Sequence, residues 1–230
     1  MISVNIKIVD IDYEETFRQI FPLMKEKLHS LESTNMVIRL FQKLDDAALP
    51  VLLGIMNRLP QETKNELLSV CLNTYSGKIC EKLNMELTRH SYGKFLKVNR
   101  ISIVREQEYL YLWINQVQVD YRGIVREKVR GSLGGIASLF VGERLEKAAL
   151  ELLWTEENKG KLIELAQSMF DKYGFAMSLE DIQMRKDEEK LVDAIDAEEG
   201  LELTNEMTED ILDALAGYLQ EKVYTGMPNV

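Results

Sequence analysis

A fifteen-residue stretch that occurs twice constrains this chain more than any other feature. Val4 to Arg18, VNIKIVDIDYEETFR, aligns without a gap on Leu112 to Arg126, LWINQVQVDYRGIVR, at an offset of 108. Ile6, Val9, Asp12, Tyr13 and Arg18 fall on Ile114, Val117, Asp120, Tyr121 and Arg126, where average composition allows about one chance identity. Each copy reads as a strand that runs into a helix. A chain that opens both halves in this way is expected to be built from two similar units.

The first copy alternates. Ile2, Val4, Ile6 and Ile8 point one way and Ser3, Asn5 and Lys7 the other, the period of a strand with one buried face. Asp12 stands where a helix cap belongs, with Glu15 three residues on. Phe17, Ile20, Phe21, Met24 and Leu28 then follow helical spacing, and Pro22 inside that pattern predicts a kink or a break. Asn35 to about Arg89 reads as helix throughout, with Pro50 and Pro60 opening new helices as first-turn prolines. Phe95 to Val104 and Tyr109 to Val119 are strands around a short polar turn, a hairpin pattern. The second of these is apolar on both faces, which predicts a central strand covered on both sides. Tyr121 to about Tyr173 is the second helical block. Thr155 is expected to cap a helix within it, and Gly174 to stop that helix. Met177 to Met184 resembles a closing strand, in which Leu179 and Ile182 parallel Val98 and Ile101. Thr208 is expected to cap a last helix, Glu209 to Val223.

These elements predict an α+β fold. Residues 1–107 form a first β–helices–β half and residues 108–188 a second half of the same domain. Together they make one four-stranded, largely antiparallel sheet covered by helices. That plan is ferredoxin-like with enlarged crossover helices, an analogy that carries no function. Residues 189–230 form an acidic linker and an amphipathic C-terminal helix. The whole of the net charge of −10 is accounted for by Asp187 to Asp213, where twelve acids and the single base Lys190 give −11. The remaining body is almost neutral and has no dense basic stripe, so no nucleic-acid partner is expected. The chain has 230 residues, room for a sizeable core. No apolar run approaches a membrane span, the N-terminus does not read as a signal peptide, and two cysteines make no disulfide framework; a reduced, cytoplasmic protein is expected.

Few residues invite chemistry. Gly131, Ser132, Gly134 and Gly135 lack the lysine and the preceding strand of a phosphate loop. Gly134, Ser138 and Gly142, four apart, read better as a small-residue packing face. The Asp12–Tyr13 and Asp120–Tyr121 pairs suggest a symmetric acid pair but fit helix caps better. Cys71, Cys80 and His90 match no zinc spacing, and no catalytic set assembles with either His29 or His90. No cofactor, metal or enzymatic activity is therefore expected. The expected function is protein–protein contact or self-association, through Ile211, Leu215, Tyr218 and Leu219 of the C-terminal helix docking on a partner or on the body. A basic surface, Arg122, Arg126, Lys128 and Arg130, beside Ile136 to Val141 would meet the acidic linker or an anionic membrane. The alternative expectation is a binder of an apolar small molecule or lipid, enclosed between sheet and helices.

Overall fold

The computed structural model describes residues 2–29, 35–43, 48–89, 92–129, 143–186 and 203–225. In chain order these form β1 (Ile2–Val9), α1 (Tyr13–His29), α2 (Met36–Lys43), α3 (Leu49–Arg58), α4 (Gln61–Asn73) and α5 (Ser76–Arg89). A 3-10 turn at Tyr92–Lys94 leads to β2 (Leu96–Lys97), β3 (Arg100–Glu106) and β4 (Tyr109–Val119). Then come α6 (Tyr121–Val129), α7 (Glu143–Leu153), α8 (Glu156–Lys172), β5 (Ser178–Lys186) and α9 (Asn205–Thr225). No helix among the described residues is long and apolar enough to cross a membrane.

The molecule is α+β, and the pairings within its sheet are antiparallel: β5–β1–β4, with β2 and β3 both on the far side of β4. The sheet thus has five strands where four were expected. The stretch read as one strand from Phe95 to Val104 is interrupted at Val98 and Asn99. There the Asn84 side chain replaces strand pairing: Val98 N–H donates to Asn84 Oδ1 at 2.9 Å and Asn84 Nδ2 donates to the Val98 carbonyl at 2.8 Å. Asn99 Nδ2 also reaches across to the Gln116 carbonyl at 3.1 Å. Gln116 has φ +53 and lies where the pairing of β4 with β1 shifts register, the signature of a bulge.

Cross-strand rows put Met184, Val4, Ile114 and Ile101 on one face, and Ile182, Ile6, Leu112 and Ile103 beside them. These join the helices in one apolar core. The opposite face carries the row Gln183, Asn5, Trp113 and Ser102. β4 is central, as expected, and its cover on this second face is graded. Trp113 is buried with the Arg185 guanidinium 5.2 Å from its ring centre, whereas Tyr109 stays 39% exposed.

The two copies of the repeated stretch build the same local structure. Glu15 N–H donates to Asp12 Oδ1 at 3.0 Å, and Gly123 N–H donates to Asp120 Oδ1 at 2.9 Å, so both aspartates cap helices. Asp12 N–H donates to the Ala176 carbonyl and Asp120 N–H to the Phe95 carbonyl, each at 2.8 Å. Each half is thereby tied to the chain that leads into the other's closing strand.

Several local expectations are corrected. Pro22 does not break α1, which continues to His29. Its exposed position, between the buried Ile20 and the rest of the helix, lets one backbone bond be lost without disturbing the packed face. Pro50 occupies the first turn of α3, but Pro60 sits one step earlier, at the cap of α4. The last helix begins at Asn205, a turn before the expected start. Thr204 caps it through Met207 N–H at 3.2 Å, while Thr208 lies inside and returns its hydroxyl to the Thr204 carbonyl. Buried Leu203 and Met207 anchor that extra turn. Thr155 caps α8 as expected, and Gly174 at φ +73 ends it in a glycine motif closed by Phe175 N–H on the Phe170 carbonyl.

Candidate functional site: an apolar cavity between the sheet and two pinned helices

Two helices are fastened to opposite edges of the sheet by amide side chains. Asn84 holds α5 to Val98 beside β2. On the other edge Gln167 of α8 donates to the Met177 carbonyl and accepts from Leu179 N–H, both at 2.9 Å. Buried backbone groups at a sheet edge need partners, and these two residues supply them with fixed geometry. Val98 and Leu179, paired as equivalents by sequence, are thus held in the same manner.

Between the pinned helices lies a cavity of about 640 Å³. Its floor is the middle of the sheet: Ile2 and Val4 of β1, Ile114 and Val117 of β4, and Met184 of β5. One wall is Leu83 and Leu87 of α5 with Leu96; the other is Leu162, Leu165 and Met169 of α8. Leu150, Leu153 and Trp154, at the end of α7, complete the lining. Asn158 satisfies the last carbonyl of α7 by donating to Leu153 at 2.9 Å, which keeps this corner free of unpaired backbone.

The charged residues of the lining are Lys82 and Glu86 of α5 and Lys161, Glu164 and Lys172 of α8, all of them half-buried or exposed, so the charge stands on the solvent side. Glu86 is paired with Arg89 and Lys161 with Glu157. Apolar walls with a few polar groups at the opening are the usual build of a small-molecule site, and the volume falls inside the ordinary range of about 300–1,000 Å³. A second void, of about 40 Å³, lies among Phe17, Leu52, Met56 and Ile211 and has room for about one water.

The residues singled out by sequence go elsewhere. In α9, Ile211 is buried at 1% exposure against the body, Leu215 and Tyr218 are half-buried, and Leu219 is 50% exposed. Thr63 donates to Asp210, Arg58 pairs with Glu221, and the Tyr218 ring lies on Gly54 of α3. The helix is docked on its own chain. Arg122 and Arg126 are exposed on α6. The side chain of Lys128 is not among those described, and Arg130, the glycine-rich stretch 131–142, His90 and the acidic segment 187–202 lie outside the described residues.

The Asp–Tyr pairs are not brought together. Ile8 pairs with Leu110 and Ile2 with Val117, so Asp12 follows one end of the sheet and Asp120 the other, about 30 Å away at ~3.3 Å per strand residue. Tyr13 donates to Asn65 Oδ1, and Tyr121 donates to Glu146 Oε1 at 3.4 Å. Cys71 and Cys80 are both buried and free, on different helices. Burial pushes both thiols up, and for Cys80 the neighbouring Glu81 adds to the shift. Among the described residues no group of His, Cys, Asp and Glu is placed to hold a metal ion.

Sequence reasoning raised a space between sheet and helices only as an alternative and named none of its lining residues, although α8 carries a signal for them. Ile163, Ala166 and Phe170 form one stripe, and Leu162, Leu165 and Met169 a second. Ala166 and Phe170 are fully buried in the core, and the second stripe packs at the edge of the same core while also lining the cavity. Against family models, curated proteins and solved structures the chain finds no match.

Proposed function

We propose that this protein binds an apolar small molecule in the cavity between the sheet and α5, α7 and α8. The observation that carries the reading is the volume of about 640 Å³ left between apolar walls. Protein interiors normally close-pack, and an apolar space of this size yields a large hydrophobic gain when filled, about 0.8 kcal/mol per buried methylene. Pinning by Asn84 and Gln167 supports the reading, because it holds the helices without filling the gap between them. The role we read is that of a binder or carrier; the Asp–Tyr pairs stand too far apart to serve one substrate together.

Native mass spectrometry of the purified chain tests this. The expected result is an excess mass that disappears on denaturation and resolves to an apolar compound. In a Leu165→Trp variant, which fills the cavity from α8, the excess is lost while the thermal midpoint stays that of the ligand-stripped native chain. A native chain that carries no ligand and takes up no long-chain alcohol overturns the reading.

A second reading, contact with a partner protein through α9, is supported by Leu219, which keeps half its surface exposed beside an otherwise docked helix. A Leu219→Arg change that abolishes capture of a partner in a pull-down would favour it. We also infer that the two halves descend from one duplicated unit. The repeated aspartate cap and the matching ties of Asp12 and Asp120 to the chain that leads into the opposite closing strand support this.

A further inference from the structure

We propose that the occupant of the cavity is a single-chain amphiphile whose head is an anion, a carboxylate or a phosphate, held at the mouth by Lys82 and Lys172. This inference rests on the binding reading above and adds the chemical class of the ligand.

The argument starts from the shape. The sheet residues of the lining are apolar and its charged residues are half-buried or exposed, so a molecule that fills the space buries a tail and leaves one end toward solvent among the charges. At ~30 Å³ for each water-sized group, the space holds on the order of twenty such groups, enough for a chain of about twelve carbons and its head. A wholly apolar molecule would leave its outer end against lysine and glutamate side chains, which desolvates them without return. A polar head removes that cost.

The sign of the head follows from which mouth charges are already spoken for. Glu86 is neutralised by Arg89, and Lys161 by Glu157. The side chains of Lys82, Lys172 and Glu164 make no ion pair or hydrogen bond with any described residue. Two cations therefore stand against one anion. Lys82 is also half-buried, whereas Lys172 and Glu164 are both exposed, so the weight of the argument falls on Lys82. A half-buried ammonium attracts an opposite charge more strongly than an exposed carboxylate repels it, because water screens the second more. Lysine further suits the role, since its long stem lies along apolar lining while the ammonium stays at the opening.

The test is a ligand series on the full chain: dodecanoate, dodecyl phosphate, dodecanol and dodecyltrimethylammonium, each below its micellar concentration. Binding is read by calorimetry and by the fluorescence of Trp154, which lines the cavity. The expected order is anions tightest, about fivefold or more over dodecanol, the scale of one or two partly exposed charge pairs, with the cationic amphiphile weakest. In a Lys82→Gln, Lys172→Gln double variant the anions fall to the affinity of dodecanol, and dodecanol itself is unchanged. Equal binding of dodecanol and the anions, or tighter binding of the cation, overturns the anionic head and leaves the cavity reading standing. Failure of every ligand to bind overturns both. The series on the unaltered chain decides the matter even where the double variant folds poorly. A difference between carboxylate and phosphate separates a fatty acid from a phosphorylated chain.

Discussion

Asn84 shows how much one side chain settles. It lies at an intermediate position on α5, yet its amide makes both backbone bonds that a neighbouring strand would have made to Val98. Asn73 of α4 does the same for Ile103, accepting at 2.7 Å and donating at 2.8 Å. Replacing Asn84 by alanine strands a donor and an acceptor at the sheet edge. The expected cost is about 2–3 kcal/mol in urea unfolding. Titration provides a second residue-scale prediction. Burial raises the Cys71 thiol above its ordinary 9.0. It also raises the Tyr13 phenol above 10.0, a shift partly offset by the hydrogen bond from Gln61. Both groups keep their protons longer in the folded chain than in the unfolded one. Stability is therefore full below about pH 9 and falls as pH rises beyond it, because the unfolded chain releases protons the native chain holds. Urea midpoints at pH 7.5 and 10.5 should show the loss, and Cys71→Ala should flatten it.

Among the elements, α9 is the one whose role is decided by its contacts. Its face Met207, Ile211 and Ala214 is buried in the core, and Leu219, on the flank of that face, stands in the open. Ile211→Ala is expected to cost about 2–5 kcal/mol, as for other large-to-small core changes, whereas Leu219→Ala should stay within about 0.5 kcal/mol. Comparable losses at the two positions would mean that the helix is not seated as described. The seat depends on Gly54 of α3, where an added Cβ collides with the Tyr218 ring. Gly54→Ala should therefore destabilise by about 1–3 kcal/mol, and much of that should disappear in a Gly54→Ala, Tyr218→Ala double variant. Thr204 and Thr208 illustrate why the helix start was misplaced from sequence. Both are four-residue-spaced threonines before acids, and only the burial of Leu203 and Met207 selects the earlier one.

At the scale of the whole molecule, the two halves meet as antiparallel strands and leave an unfilled space where α5 and α8 are held to opposite edges. A ligand that enters this space stabilises the native state by mass action. Saturating dodecanoate should raise the thermal midpoint of the native chain by several degrees and leave a Leu165→Trp variant unmoved; equal shifts in both would place the ligand elsewhere. The sequence by itself determined the strand faces, the two aspartate caps, the Thr155 and Gly174 limits of α8, the α+β class and the closing strand. All of these depend on residues a few positions apart, whose periodicity and hydrogen-bonding capacity are written locally. Only the tertiary structure decided the rest. The break between β2 and β3 depends on Asn84, fourteen residues from Val98. The docking of α9 on α3 depends on Gly54 and Tyr218, far apart in the chain. The cavity is a space between elements, and a space has no residue of its own; it exists because side chains distant in sequence stop short of one another.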